Sequence, residues 1–251
     1  MITKFTEVER AEICDLANET LLKETTEDTL EALKYLTDVR GISLEVLKKF
    51  RFGYIPKRVG HDWSERIIMP LYDSHDNLIV LTSRKFRTTD HKQRPHLHEQ
   101  FDKKRFLYGI QAAKRSILNW NAVVLVEGQF DTCRLHTNGL INTVGVLGSA
   151  FTFDHVCQLR RYCSNFYLAF DRDKSGWQNI IRAMRMYDEK SLATFDVNFI
   201  PVRLPQGIKD PDDFISNHGV KAFNRLLKES KELASSYKER EWHGITTETA
   251  A

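Results

Sequence analysis

Val123-Val124-Leu125-Val126-Glu127-Gly128 carries an apolar run straight into a carboxylate and a glycine, and Phe166-Tyr167-Leu168-Ala169-Phe170-Asp171-Arg172-Asp173 ends the same way before Lys174-Ser175-Gly176. A short apolar run rich in β-branched and aromatic residues, closed by a turn residue, reads as a strand buried on both faces. Working outward from the pair, the pattern predicts strands over 122–127, 141–147, 165–171 and 196–204. Helices are expected between them near 130–138, 152–162 and 177–190. Strand-helix alternation calls for a parallel sheet with helices on both faces, and ligands of such sheets lie beyond the carboxyl ends of the strands. Both strands end there on acids.

The part of the chain before Trp120 reads differently. Residues 8–36 are expected to be helical, with Leu30, Leu33 and Leu36 on one face. Ser43 is placed to cap a short helix over 44–50, with Gly53 as its stop before Pro56. Ile67-Ile68-Met69-Pro70-Leu71-Tyr72 and Leu78-Ile79-Val80-Leu81-Thr82, separated by Ser74-His75-Asp76-Asn77, read as a β-hairpin. A last helix near 219–240 runs into 244–251, expected to fray. The fold class is therefore α/β: an N-terminal mixed α+β subdomain, a Rossmann-like parallel sheet and a short C-terminal helical segment. The expected boundaries are 1–118, 119–217 and 218–251.

The 251 residues are 41% hydrophobic, enough for a substantial core, and contain no apolar run of the ~18 residues that a membrane-spanning helix needs. The charged N-terminus lacks the apolar core of a secretory signal, so a cytoplasmic protein with no membrane partner is expected. Cys14, Cys133, Cys157 and Cys163 form no C-x-x-C pair, and no zinc site is expected from them. Net charge is only +3, yet 84–115 holds ten bases against three acids, a candidate surface for a polyanion. A solvated charged face is the plain alternative. His91, His96 and His98 lack the cysteine or carboxylate that would complete a metal set.

Three acidic groups come from one sheet edge: Glu127, the pair Asp171 and Asp173, and Asp210-Pro211-Asp212-Asp213 after the last strand. Each has a structural reading: a turn glycine with a solvated neighbour, a calcium loop whose later ligand positions are missing, and a helix N-cap. Taken in order at successive strand ends, they repel one another unless a hard divalent cation neutralises them. Mg²⁺, with Mn²⁺ as substitute, fits few carboxylates, several waters and phosphate oxygens.

These residues also carry a family likeness. Val126-Glu127-Gly128-Gln129-Phe130-Asp131, Phe170-Asp171-Arg172-Asp173-Lys174-Ser175-Gly176 and Asp210-Pro211-Asp212 resemble the three motifs of the Toprim domain, shared by primases, topoisomerases and nucleases. Gly145-Val146-Leu147-Gly148-Ser149-Ala150-Phe151-Thr152 is similar to the glycine-containing loop of DnaG-type bacterial primases. Upstream, Tyr35 to Ser43, Phe50 to Pro56, Arg66 to Arg84 and Phe101 to Gly109 resemble the polymerase domain of the same family. The likeness extends over about 30–220.

That resemblance implies a DNA primase making short RNA primers on single-stranded DNA from ribonucleoside triphosphates. It puts Glu127, Asp171, Asp173, Asp210 and Asp212 at metal positions, with Glu127, Asp171 and Asp173 as the catalytic set. Asp131, Lys174, Arg40, Arg84, Lys103 and Arg105 fall at nucleotide- or nucleic-acid-binding positions, and His96 stands where the family often has lysine. Phe86, Phe101 and Phe106 are stacking candidates, with ordinary packing as the alternative. The family's zinc-ribbon and helicase-binding modules have no counterpart here. The expectation is an excised core, or a bacterial or phage protein whose zinc-ribbon and helicase partners are separate chains. A Toprim nuclease and a non-catalytic nucleic-acid-binding replication module are the competing readings; a topoisomerase would need a tyrosine domain for which there is little room.

Overall fold

The computed structural model describes residues 5–60, 62–87, 96–148, 151–189 and 195–238. Two four-stranded sheets form the molecule. The first, in the order β1 (Gly53–Ile55), β2 (Arg66–Tyr72), β3 (Leu78–Lys85), β4 (His96–His98), is antiparallel. The second, in the order β6 (Thr143–Gly145), β5 (Ala122–Val126), β7 (Asn165–Leu168), β8 (Asn198–Pro201), is parallel. The expected strands of the parallel sheet are all present but shorter, with β5 and β7 ending before Glu127 and Asp171, whereas β3 runs on to Lys85. The expected tail over 244–251 lies outside the described residues.

Before the first sheet come α1 (Glu7–Lys23), α2 (Glu27–Lys34), a π-helical turn at Tyr35–Val39, and α3 (Leu44–Lys49). The single helix expected over 8–36 is broken because Thr6 and Thr26 each start a helix of their own, Thr6 through a capping box with Glu9. Ser43 caps α3 as expected, accepting a hydrogen bond from the Val46 amide. Gly53 is not its stop: Arg51 takes the left-handed turn at φ 54°, and Gly53 opens β1. The hairpin of β2 and β3 is as read. β2 is apolar from Ile67 to Leu71 because both its faces are covered, Ile67, Met69 and Leu71 by one core and Ile68 by another. Pro70 is tolerated there because β1 pairs no further than Ile68, leaving that edge free of ladder bonds.

Glu99, at 1% exposure, locks this half together. It accepts from the amides of Leu81 (2.7 Å) and Phe5 (3.2 Å) and is paired with the Arg10 guanidinium at 2.8 Å. Removing one member of a buried pair strands the other charge. Arg10→Met is therefore expected to cost about 3–5 kcal/mol, seen as a lower urea midpoint at unchanged slope. A loss below about 1 kcal/mol would mean that solvent reaches Glu99.

Around the parallel sheet, α4 (Ile110–Trp120), α6 (Phe153–Leu159) and α7 (Lys174–Glu189) bury one face, while α5 (Gln129–Thr137) and α8 (Pro211–Lys238) bury the other. The sequence reading missed α4, β1 and β4. It placed the last helix at 219–240, whereas α8 begins at Pro211 and kinks at Gly219, φ 77°. The first turns of α8 are the acidic cluster itself. Among the described residues no helix is long and apolar enough to cross a membrane.

Candidate active site

In the order β6-β5-β7-β8 the chain leaves β5 in one direction for β6 and later returns on its other side as β7. The helices that follow these neighbours, α5 and α7, therefore lie on opposite faces, and a crevice opens between the carboxyl ends of β5 and β7. Glu127 directly follows β5, and Asp171 and Asp173 lie just past β7. The third acidic group is brought to the same crevice by a backbone bond from the Arg172 amide to the Lys209 carbonyl, 2.6 Å.

Two acids do the work of caps as well. Asp173 accepts from the Gly176 amide at 2.8 Å at the start of α7, and Asp210 from the Asp213 amide at 2.8 Å at the start of α8. The helix-cap reading of the Asp-Pro-Asp-Asp cluster is thus correct for Asp210, and it fixes the carboxylate at the centre. Gly176 is required by close approach: a Cβ there would lie 2.0 Å from the Asp171 carbonyl oxygen.

The six acids share one field. Burial and the charges of Asp210, Asp171 and Asp212 push the Asp131 carboxyl up to about 7. Burial, with Glu127, Asp210 and Asp173, does the same to Asp171, also to about 7. Glu127 is raised by burial and Asp173, against a side-chain hydrogen bond from Asn179. Asn179 is oriented for that bond because its Oδ1 accepts from Arg182 Nη1 at 2.9 Å. Asp212 is raised by burial, an effect opposed chiefly by Arg134.

These residues fit a divalent cation on one structural ground. Glu127 Oε1 and Asp171 Oδ1 are buried acceptors with no hydrogen-bond partner, an arrangement that costs free energy unless a cation or a proton occupies it. Among the described residues no three His, Cys, Asp or Glu side chains are gathered closely enough to close a shell by themselves. Mg²⁺ needs only one or two carboxylates and takes its other ligands from water and phosphate.

Beside the acids lies a basic and aromatic face. Arg40 stacks over the Phe130 ring at 4.2 Å and Arg84 over the same ring at 5.2 Å. Nε of each arginine is buried without a hydrogen-bond partner. His96 Nε2 lies 3.3 Å from Arg84 Nη1, and burial with the cations Arg84, Lys103, Arg66 and Arg40 pushes its pKa down. His98 faces the Glu99 carbonyl instead, and His91 lies outside the described residues, as do Lys92 and Arg94 of the basic stretch. Lys103–Arg105 form a short turn held to α6 by Thr152 and Gln158, with Lys103 half-buried and Arg105 exposed. Lys174 is exposed at the start of α7. Phe86, Phe101 and Phe106 pack against the core of the first sheet, Phe86 with Arg87 over its ring, and the ring shared by Arg40 and Arg84 is Phe130, which was not among the stacking candidates. The signal for it was present: Phe130 stands between Glu127 and Asp131 in the first acidic motif.

A model of the Toprim-like family matches residues 124–215, the segment holding every acid of the centre. A DNA primase of Chlamydia muridarum is 30% identical over 245 residues, which are 86% of this chain and 39% of the relative. The crystal structure of the zinc-binding and RNA polymerase domains of the Aquifex aeolicus primase superposes with a TM-score of 0.75 at 26% identity, covering 94% of this chain and 66% of that one. This chain is a homologue of the DnaG primase catalytic core. A DnaG catalytic domain bound to single-stranded DNA has the same fold, with a TM-score of 0.74 at 22% identity over 89% of this chain and 78% of that one. The chain spans less than half the length of the primases it matches by sequence. Its parallel sheet and upstream hairpin are those expected from the motifs.

Proposed function

We propose that this chain synthesises RNA primers on single-stranded DNA. The observation that carries the reading is the crevice between β5 and β7, where partnerless acidic oxygens stand next to two arginines stacked on one buried aromatic, Phe130. In this reading Glu127, Asp171, Asp173, Asp210 and Asp212 hold Mg²⁺, or Mn²⁺ in its place. When bound, the cations activate the primer 3′-hydroxyl and neutralise charge on the triphosphate. Arg40, Arg84 and Lys103 bind template phosphates, with Arg105 and Lys174 at the rim for the template and the incoming nucleotide. Residues 1–118 would form the basic subdomain, 119–217 the cation-binding one and 218–251 the helical end. A zinc-ribbon protein and a helicase are proposed partners in trans.

The test is incubation with single-stranded DNA, Mg²⁺ and labelled ribonucleotides. Short RNA products that depend on the DNA are the expected result. Cleavage of the DNA would move the assignment to a nuclease built on the same carboxylates, and binding without turnover to a non-catalytic module.

A further inference from the structure

Arg134 lies on α5, four residues after Phe130 and one turn after Asp131, and its guanidinium makes three connections. Nη1 donates to the Arg40 carbonyl at 3.3 Å and Nη2 to Ser216 Oγ at 3.1 Å, while Nε lies 3.2 Å from Asp212 Oδ1 as an ion pair without a hydrogen bond. The side chain is 22% exposed and Asp212 23%. Room for it comes from Gly41, in the left-handed region at φ 58°, where a Cβ would fall 1.1 Å from Arg134 Nη1. One side chain of α5 thus ties the loop carrying Arg40 to the first turns of α8 carrying Asp212.

We propose that Arg134 is a positioning residue that fixes Asp212 and the Arg40 loop as one unit and so couples the cation centre to the polyanion face. This rests on the functional reading above. A planar guanidinium can hold a carboxylate, a hydroxyl and a carbonyl at once in set directions, which a lysine cannot. Its charge beside Asp212, and its hydrogen bond to Ser216, whose hydroxyl also meets Asp212, hold that carboxylate at the crevice. By holding the Arg40 carbonyl it fixes the backbone from which the Arg40 guanidinium reaches Phe130.

The test uses the full chain, with Mn²⁺ affinity read by calorimetry and binding of a labelled single-stranded DNA read by anisotropy in EDTA. Arg134→Gln is expected to weaken Mn²⁺ binding by about 10- to 100-fold, as loss of an outer-sphere partner does. DNA binding without metal falls in the same variant, with an unchanged far-UV spectrum. Gly41→Ala, which leaves Arg134 present but displaces its guanidinium, reproduces both losses, and Arg134→Lys recovers them in part. Once Asp212 is Asn, adding Arg134→Gln changes Mn²⁺ affinity by no more than about twofold. Folded variants that keep both affinities within about twofold of the parent, or losses that add fully with Asp212→Asn, overturn the role of Arg134 alone. A parent protein that binds neither Mn²⁺ nor DNA overturns the functional reading together with it.

Discussion

Glu127→Gln is expected to reduce primer synthesis by about 10³-fold, the loss of several kcal/mol of charge stabilisation at about tenfold for each 1.36 kcal/mol. Stability in EDTA is expected to be unchanged or higher. The substitution keeps the shape of the side chain at the end of β5 and removes the charge that Asp171 and Asp131 both oppose. Glu127 Oε1 has no protein partner to lose, and Asn179 can still meet the amide through its own oxygen or amine after a flip. Opposite movements of activity and stability separate a functional carboxylate from a structural one, which when removed would lower both. A variant that retains activity within about tenfold of the parent removes Glu127 from the chemistry.

The second large effect is a reversal with metal. Asp131 and Asp171 are both pushed up to about 7 by burial and by each other's neighbours. Their protons are held in the folded state from about pH 4, where the unfolded chain releases them, up to about 7. Over that window the folded state binds more protons, so these groups make stability fall as pH rises, and above it their repulsion is fully expressed. His136 and His155 act in the other direction. Buried and held down at about 4, they favour the fold above the pH at which an unfolded histidine titrates and weaken it as pH falls toward 4. The acids are therefore isolated by comparing the parent with Asp171→Asn. In EDTA at pH 8 the variant is expected to melt a few degrees higher, an advantage that shrinks toward pH 5. With Mg²⁺ at pH 8 the order reverses, because the ion stabilises only the form that binds it. A variant that melts lower than the parent in EDTA at pH 8 would show that Asp171 is held by groups other than cations.

Much of this was legible in the chain because it is written in local chemistry. The apolar runs that end in Glu127 and Asp171 announce buried strands whose ends face solvent, and the alternation with helices leaves few topologies. The motif resemblance was legible for the same reason, since it rests on short contiguous segments. Element ends were not. The start of α8 at Pro211 depends on Asp210, whose side chain caps the Asp213 amide, and the break between α1 and α2 on an extended turn at Glu24 and Thr26 that no side chain caps. The helix α4 was missed although its apolar positions are regular and Asn121, in the left-handed region at φ 47°, marks its end before β5.

The sequence by itself determined the α/β class, the order of the strands' acidic ends and the presence of six carboxylates that need a counter-charge. Only the tertiary structure decided that Arg40 and Arg84 share the Phe130 ring, that Asp173 caps α7, and that Arg134 links Asp212 to the loop of Arg40. The physical reason is distance along the chain. Strand and cap preferences act over a few residues, whereas a guanidinium that reaches from α5 to residues 40 and 212 is positioned by the packing of α3, α5 and α8 around the sheet.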